Sequence, residues 1–260
     1  MIETRGLTRR YGRTTAVDGL DLTVRTGEIH GFLGPNGAGK TTTLKMLAGL
    51  LRPTAGTVTI AGLDWKQHTK ELRRLVGFVP DTAPLYDYLT GRQHIALVAG
   101  LFGVARADRD ARAAELLDAL ELADRADDLC KGYSHGMRRK IHLAAVLVTQ
   151  PQVLILDEPT TGLDPRSVRA LKDLLLRTRA QGTTVLLSTH VLEVAEELSD
   201  RIGVIAAGRQ RAEGTMAELR TMRGSAGETL ERIFLRLIDE REEPPAPGVG
   251  EGGSGERETA

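Results

Sequence analysis

The segment Gly34-Pro35-Asn36-Gly37-Ala38-Gly39-Lys40-Thr41 constrains this chain more than any other. A short apolar run, Ile29–Leu33, precedes it. Residues 41–51 follow, with Leu44, Leu47 and Leu51 at helical spacing. Strand, glycine-rich turn and helix in that order match G-x-x-x-x-G-K-[S/T], a loop that cradles phosphate groups. Glycines let the backbone N–H groups of residues 36–39 converge on an anion without Cβ collisions. The helix beginning near Gly39 adds the positive end of its dipole. Lys40 is placed for the outer phosphates, the Thr41 hydroxyl for Mg²⁺ and Thr42 for the innermost phosphate.

A second segment, Val153-Leu154-Ile155-Leu156-Asp157-Glu158, reads as an apolar strand ending in two carboxylates. Strand alternation sends Asp157 and Glu158 to opposite sides. Asp157 suits holding Mg²⁺ through its water shell, and Glu158 suits polarising an attacking water as general base. Between and after these segments strand-like runs (Val76–Val79, 185–187, 202–205) alternate with helix-like ones. The helical runs are 107–122, 191–198 and Pro165–Ala180, the last with Asp164 at its N-cap and Pro165 in its first turn. Such alternation predicts a parallel α/β sheet. Residues 84–150 break it, being helical almost throughout, and read as an inserted helical subdomain.

Composition narrows the class further. Lysine plus arginine and aspartate plus glutamate both number 35, so the net charge is zero, which speaks against a general nucleic-acid binder. The neutrality is a sum. Residues 239–260 carry seven acids against two arginines, which leaves +5 on residues 1–238. That same stretch holds three prolines and five glycines, so residues 243–260 are expected to be disordered. One cysteine, Cys130, excludes a disulfide framework and reads as a small core residue. No apolar run nears the roughly 18 residues of a membrane span, and no signal peptide is visible.

Three more segments make the pattern specific: Tyr133-Ser134-His135-Gly136-Met137-Arg138-Arg139, Pro159-Thr160-Thr161-Gly162-Leu163-Asp164 and Ser188-Thr189-His190. With them the chain resembles the nucleotide-binding subunit of an ABC transporter over about residues 2–220. The resemblance implies a P-loop NTPase core with a mainly parallel sheet, an antiparallel β subdomain near the N-terminus and the inserted helical subdomain. It places the nucleotide-binding domain at 1–223, a C-terminal helical extension at 224–242 and the acidic tail at 243–260. It implies ATP as substrate with Mg²⁺, and two chains sandwiching two nucleotides head to tail. Ser134 and Gly136 then contact the γ-phosphate bound by the other subunit, which is a second copy or a homologous ATPase. His190 resembles the switch histidine that reaches the γ-phosphate, and Asp164 the aspartate that communicates across the dimer. Tyr11 matches the aromatic that stacks on adenine, against the plainer reading of a strand-edge tyrosine. Ser134 also reads as the N-cap of the helix that follows.

Two departures from the family pattern stand out. Tyr133, His135 and Met137 replace residues of the usual Leu-Ser-Gly-Gly-Gln, a form similar to that in ATPases of drug and antibiotic exporters. In Gly77-Phe78-Val79-Pro80-Asp81 the family usually ends in Gln, so Asp81 either reaches Mg²⁺ or caps the following turn. Arg138-Arg139-Lys140 reads as a solvated basic face, and His30, His68, His94 and His142 as structural or surface residues. Leu85-Tyr86-Asp87-Tyr88-Leu89 lies where family members meet a membrane partner, though core packing is the equal alternative. The resemblance therefore implies an exporter ATPase at the cytoplasmic face of the membrane, held there by a separate permease. The alternatives are a soluble non-transport ABC ATPase or an ATP-sensing regulatory subunit. One phosphate loop, and only 94 residues from Lys40 to Ser134 without heptads, count against the tandem and coiled-coil members.

Overall fold

The computed structural model describes residues 1–82, 84–221 and 230–239. The expected acidic tail at 243–260 lies outside them. Of the expected C-terminal extension, residues 230–239 are described.

Two sheets organise the chain. The first is antiparallel and built by β1 (Ile2–Tyr11), β2 (Thr14–Leu20), the short β3 (Thr23–Val24), β5 (Ala55–Ile60) and β6 (Leu63–Asp64), in the order β2-β1-β5-β6 with β3 beside β1. The second runs β11-β10-β4-β9-β8-β7, from β4 (Ile29–Leu33), β7 (Val76–Val79), β8 (Val153–Asp157), β9 (Thr184–Thr189), β10 (Arg201–Ala206) and β11 (Arg209–Gly214). Its β10-β4-β9-β8-β7 core is parallel, and β11 returns antiparallel at one edge. Parallel neighbours need crossovers, which helices supply. They are α1 (Lys40–Leu47), α2 (Thr69–Leu75), α6 (Pro165–Ala180) and α7 (Leu192–Leu198).

The helical insert consists of α3 (Gly91–Leu101), α4 (Arg106–Ala119) and α5 (His135–Leu147), with two 3₁₀ turns between α4 and α5. A reciprocal capping box starts α3, with Thr90 and Gln93 exchanging hydrogen bonds. Residues 84–90 are not helical, so the insert is less continuous than its composition suggests. α8 (Met216–Thr221) and α9 (Leu230–Asp239) close the described chain, and Phe234 and Leu237 of α9 pack with Leu33, Ile202 and Val204 of the sheet.

The apolar run of β8 is buried at every position, as a strand covered on both faces requires. Leu154 and Leu156 pack with Ile141, Leu143 and Leu171, on the side of the insert and α6. Val153 and Ile155 pack with Leu44, Met46 and Leu47 of α1. Each fully buried leucine or isoleucine contributes about 1.5–3 kcal/mol, so this strand is fixed in register by period two alone. Asp157 continues the Val153–Ile155 face, toward α1. Trp65 closes the end of that helix, its Nε1 donating to the Leu47 carbonyl at 2.8 Å.

Candidate active site

The turn between β4 and α1 is set by glycine. Gly39 takes φ 105°, and a Cβ there would strike the Ala16 carbonyl oxygen. Gly37 takes φ 80° in open space. Both conformations are natural to glycine alone. The N–H groups opening α1 have no partner within the helix, and they face a cavity of about 330 Å³. Asn36, Gly37, Gly39, Lys40, Thr41, Thr42, Asp81 and Glu158 line it. Ala38 does not. Its side chain is buried against the core, and its carbonyl accepts from Gly208 N at 3.0 Å.

Lys40 Nζ donates to the Gly34 carbonyl at 2.6 Å and lies 3.2 Å from Glu158 Oε1. His190 Nδ1 lies 2.9 Å from Glu158 Oε2. The structure thus gathers three residues from three separate segments around one carboxylate. The alternation expected at the strand end stops at Asp157. Glu158 stands beyond β8 at φ 49°, a left-handed conformation that costs a non-glycine residue about 1–2 kcal/mol. That turn, and not strand pleating, sets its carboxylate against Lys40. Glu158 N donates to both the carbonyl and the hydroxyl oxygen of Ser188. The Ser188 hydroxyl donates to Asp157 Oδ1 at 2.7 Å, leaving Asp157 buried behind the cavity.

A divalent cation fits these groups. The Thr41 hydroxyl and the Asp157 carboxylate are hard oxygen donors, and Glu158 Oε1, ion-paired with Lys40 but accepting no hydrogen bond, is a third. Among the described residues no cluster of three or more acids, histidines or cysteines could hold a metal by itself.

Asp81 lines the cavity, and its Oδ1 accepts from Arg139 Nη2 at 2.5 Å, so it is an ion-pair partner. The basic cluster is correspondingly not a solvated face: Arg139 and Lys140 are buried. Arg138 reaches Asp87 Oδ1 and the Cys130 carbonyl. Sequence reasoning missed Arg139, because helical periodicity alone does not separate a buried cation from an exposed one.

The remaining expected residues lie elsewhere. Ser134 caps α5, accepting from Met137 N at 3.3 Å. Asp164 caps α6, accepting from Ser167 N at 2.9 Å, and these hydrogen bonds hold its carboxyl below the usual range. Ser134 and Asp164 are exposed, and Gly136 sits against Leu163. Tyr11 ends β1 half-exposed, with the Arg9 guanidinium 4.6 Å from its ring centroid. None of the four lines the cavity. Tyr133, at the first variant position, is buried and donates to the Arg125 carbonyl at 2.7 Å.

Residues 17–161 match the family model described as ABC transporter. The chain belongs to the ABC transporter family. It is 48% identical over 224 residues to a daunorubicin/doxorubicin resistance ATP-binding protein of Streptomyces peucetius, covering 86% of this chain and 68% of that one. It is 43% identical over 213 residues to Nod factor export ATP-binding protein I of Burkholderia orbicola, covering 82% and 70%. Among solved structures, an ATP-binding subunit of an ABC transporter superposes with TM-score 0.86 at 32% identity, covering 91% of this chain and 99% of that one. A dimeric ATP-binding cassette in a post-hydrolysis state with ADP and phosphate superposes with TM-score 0.75 at 26% identity, covering 83% and 99%. The protein is an ABC-type ATPase, and the cavity beneath the glycine-rich loop is its candidate nucleotide site.

Proposed function

We propose that this chain is the ATP-hydrolysing subunit of a drug-type exporter, working as a head-to-tail dimer coupled to a separate membrane permease. The observation that carries the reading is Glu158, held between Lys40 and His190 at the mouth of a phosphate-binding loop. The backbone N–H groups of Gly37, Ala38 and Gly39, with Lys40 and Thr42, bind and orient the phosphates. Thr41 and Asp157 would hold Mg²⁺, which would supply neutralisation of phosphate charge. Asp81 stands at the edge of that set, with one oxygen committed to Arg139. Glu158 accepts a proton from water as its oxygen attacks the γ-phosphorus. The bond to the bridging oxygen breaks, and ADP and phosphate result. His190 orients Glu158 and the γ-phosphate.

Ser134 and Gly136, exposed at the start of α5, serve the nucleotide of the partner subunit, and Asp164 faces the same junction. Tyr11 stacks on adenine. Among the described residues no helix is long and apolar enough to cross a membrane, and in this reading a separate permease carries out translocation. Tyr86 and Tyr88 are exposed and suited to contact with it. In this reading the protein sits peripherally, at the cytoplasmic face. The daunorubicin/doxorubicin resistance name of the relative at 48% identity supports drug-type cargo.

Glu158→Gln is the test. It is expected to bind ATP, to form a dimer with ATP in size-exclusion chromatography, and to release phosphate hardly at all. Near-full turnover would remove Glu158 as the base. Failure of the wild-type chain to co-purify with any polytopic membrane protein from its native membrane would remove the transport role.

A further inference from the structure

Arg139 sits six residues into the α5 segment opened by Ser134 and is 3% exposed. Its Nη1 donates to the Glu158 and Thr161 carbonyls, both at 2.6 Å. Its Nη2 donates to the Asp81 carbonyl and to Asp81 Oδ1, both at 2.5 Å. One planar group thus joins three segments: the helix behind the variant signature, the segment after β7 and the turn that carries Glu158. A guanidinium presents its donors in a fixed fork, so its position fixes the relative position of the oxygens it serves. Buried this deeply, the cation needs a counter-charge, and Asp81 supplies it. The usual Gln at position 81 would not.

We infer that Arg139 is a positioning residue for hydrolysis: neutralised by Asp81, it holds the backbone of Glu158 in its left-handed turn and ties that turn to α5. Such a restraint offsets the cost that φ 49° imposes on Glu158, a non-glycine residue. The guanidinium bonds to its carbonyl and to the one three residues on, bracketing the turn. α5 is a rigid rod over this distance. A shift of Ser134 against a partner's nucleotide is therefore passed through Arg139 to the Glu158 carboxylate at this chain's own cavity. The inference rests on the proposed roles of Glu158 and Ser134, and it gives Asp81 a task other than metal ligation.

The test compares Arg139→Gln, Arg139→Lys, Asp81→Asn and the double variant Arg139→Gln/Asp81→Asn in the full chain. The measurements are kcat, KM, equilibrium ATP binding and thermal melting. Displacing the base by about 1 Å is enough for a loss of about 100-fold in kcat. Arg139→Gln is expected to show a loss of that order with ATP affinity nearly unchanged. Arg139→Lys restores part of the rate. Asp81→Asn falls between, and the double variant is no worse than Arg139→Gln alone, since the two residues act as one unit. The inference is overturned if folded Arg139→Gln keeps its kcat, if the loss falls in KM alone, or if the two single losses multiply. Should Arg139→Gln fail to fold, Asp81→Asn decides. Its side chain is 56% exposed, the backbone bonds remain, and an unchanged kcat there overturns the inference. Glu158→Gln run alongside separates the two claims. If it hydrolyses normally, the base assignment fails. If it is inactive while the Arg139 and Asp81 variants are normal, only this inference fails.

Discussion

Lys40 and His190 both meet the Glu158 carboxylate at the phosphate-loop cavity, whereas Ser134 and Asp164 bond to the first turns of their own helices and face outward. The first group comes from three segments far apart in sequence, and the parallel sheet brings them together, because β4, β8 and β9 are hydrogen-bonded neighbours whose ends point the same way. The second group is local, each residue made ready by a helix start. A single fold therefore completes the phosphate side of a nucleotide site. In the proposed dimer, the other side is two capped helix ends that a second molecule would meet. Arg139 is the side chain that bridges the two groups within one chain.

Variants on each side should fail differently. The largest effect is expected from Lys40→Ala, which removes the fixed cation from the phosphate loop. Hydrolysis should fall by about 10³-fold, and a fluorescent ATP analogue should no longer bind at micromolar concentration. Glu158→Gln should lower kcat by about 10²–10³-fold while ATP titration shows retained affinity. Equal losses of affinity in both variants would erase the distinction between binding and chemistry within the first group.

On the outward side, Ser134→Ala should leave ATP binding to separated chains intact, weaken the ATP-driven dimer and reduce kcat by roughly tenfold, the equivalent of about one charge-assisted hydrogen bond. Light scattering with and without ATP checks the dimer. The lost cap should also lower stability by about 1 kcal/mol in a urea melt. Loss of ATP binding by the isolated chain would place Ser134 with the first group and collapse the comparison.

The smallest effect concerns the insert behind Ser134. His142 is pushed down to about 4, chiefly by burial and then by the neighbouring His94. His94 is lowered by burial and by the Arg138 charge. Both are therefore neutral in the folded protein. Their contribution to stability is full above the ordinary histidine pKa of about 6.5 and is lost as pH falls toward 4. His142→Leu should flatten the decline in melting temperature over that window. An unchanged pH profile would show that the pair does not govern acid lability.

Much of the site was legible because its chemistry is written in consecutive residues. The loop from Gly34 to Thr41 and the strand ending at Asp157 are each one local structure, and strand Ile29–Leu33 and helix Pro165–Ala180 carry their own boundaries in apolar runs and an Asx-Pro start. Three features were not legible. Glu158 leaves the strand in a left-handed turn, which strand alternation does not forecast. The chain from 84 to 90 is not helical, although its surroundings are. Arg139 reads like its half-buried neighbour Arg138, and only the carbonyls of Glu158 and Thr161 reveal its task.

The sequence by itself determined the phosphate loop, the two acids, the capped helices and the family. Each depends on backbone preferences and hydrogen bonds within a few residues. The tertiary structure alone decided that Glu158 meets Lys40 and His190, that Asp81 answers Arg139, and that Ser134 stays at the surface. Those pairings join residues 32 to 118 positions apart. Long-range contacts are set by sheet order and burial, and no local propensity encodes them.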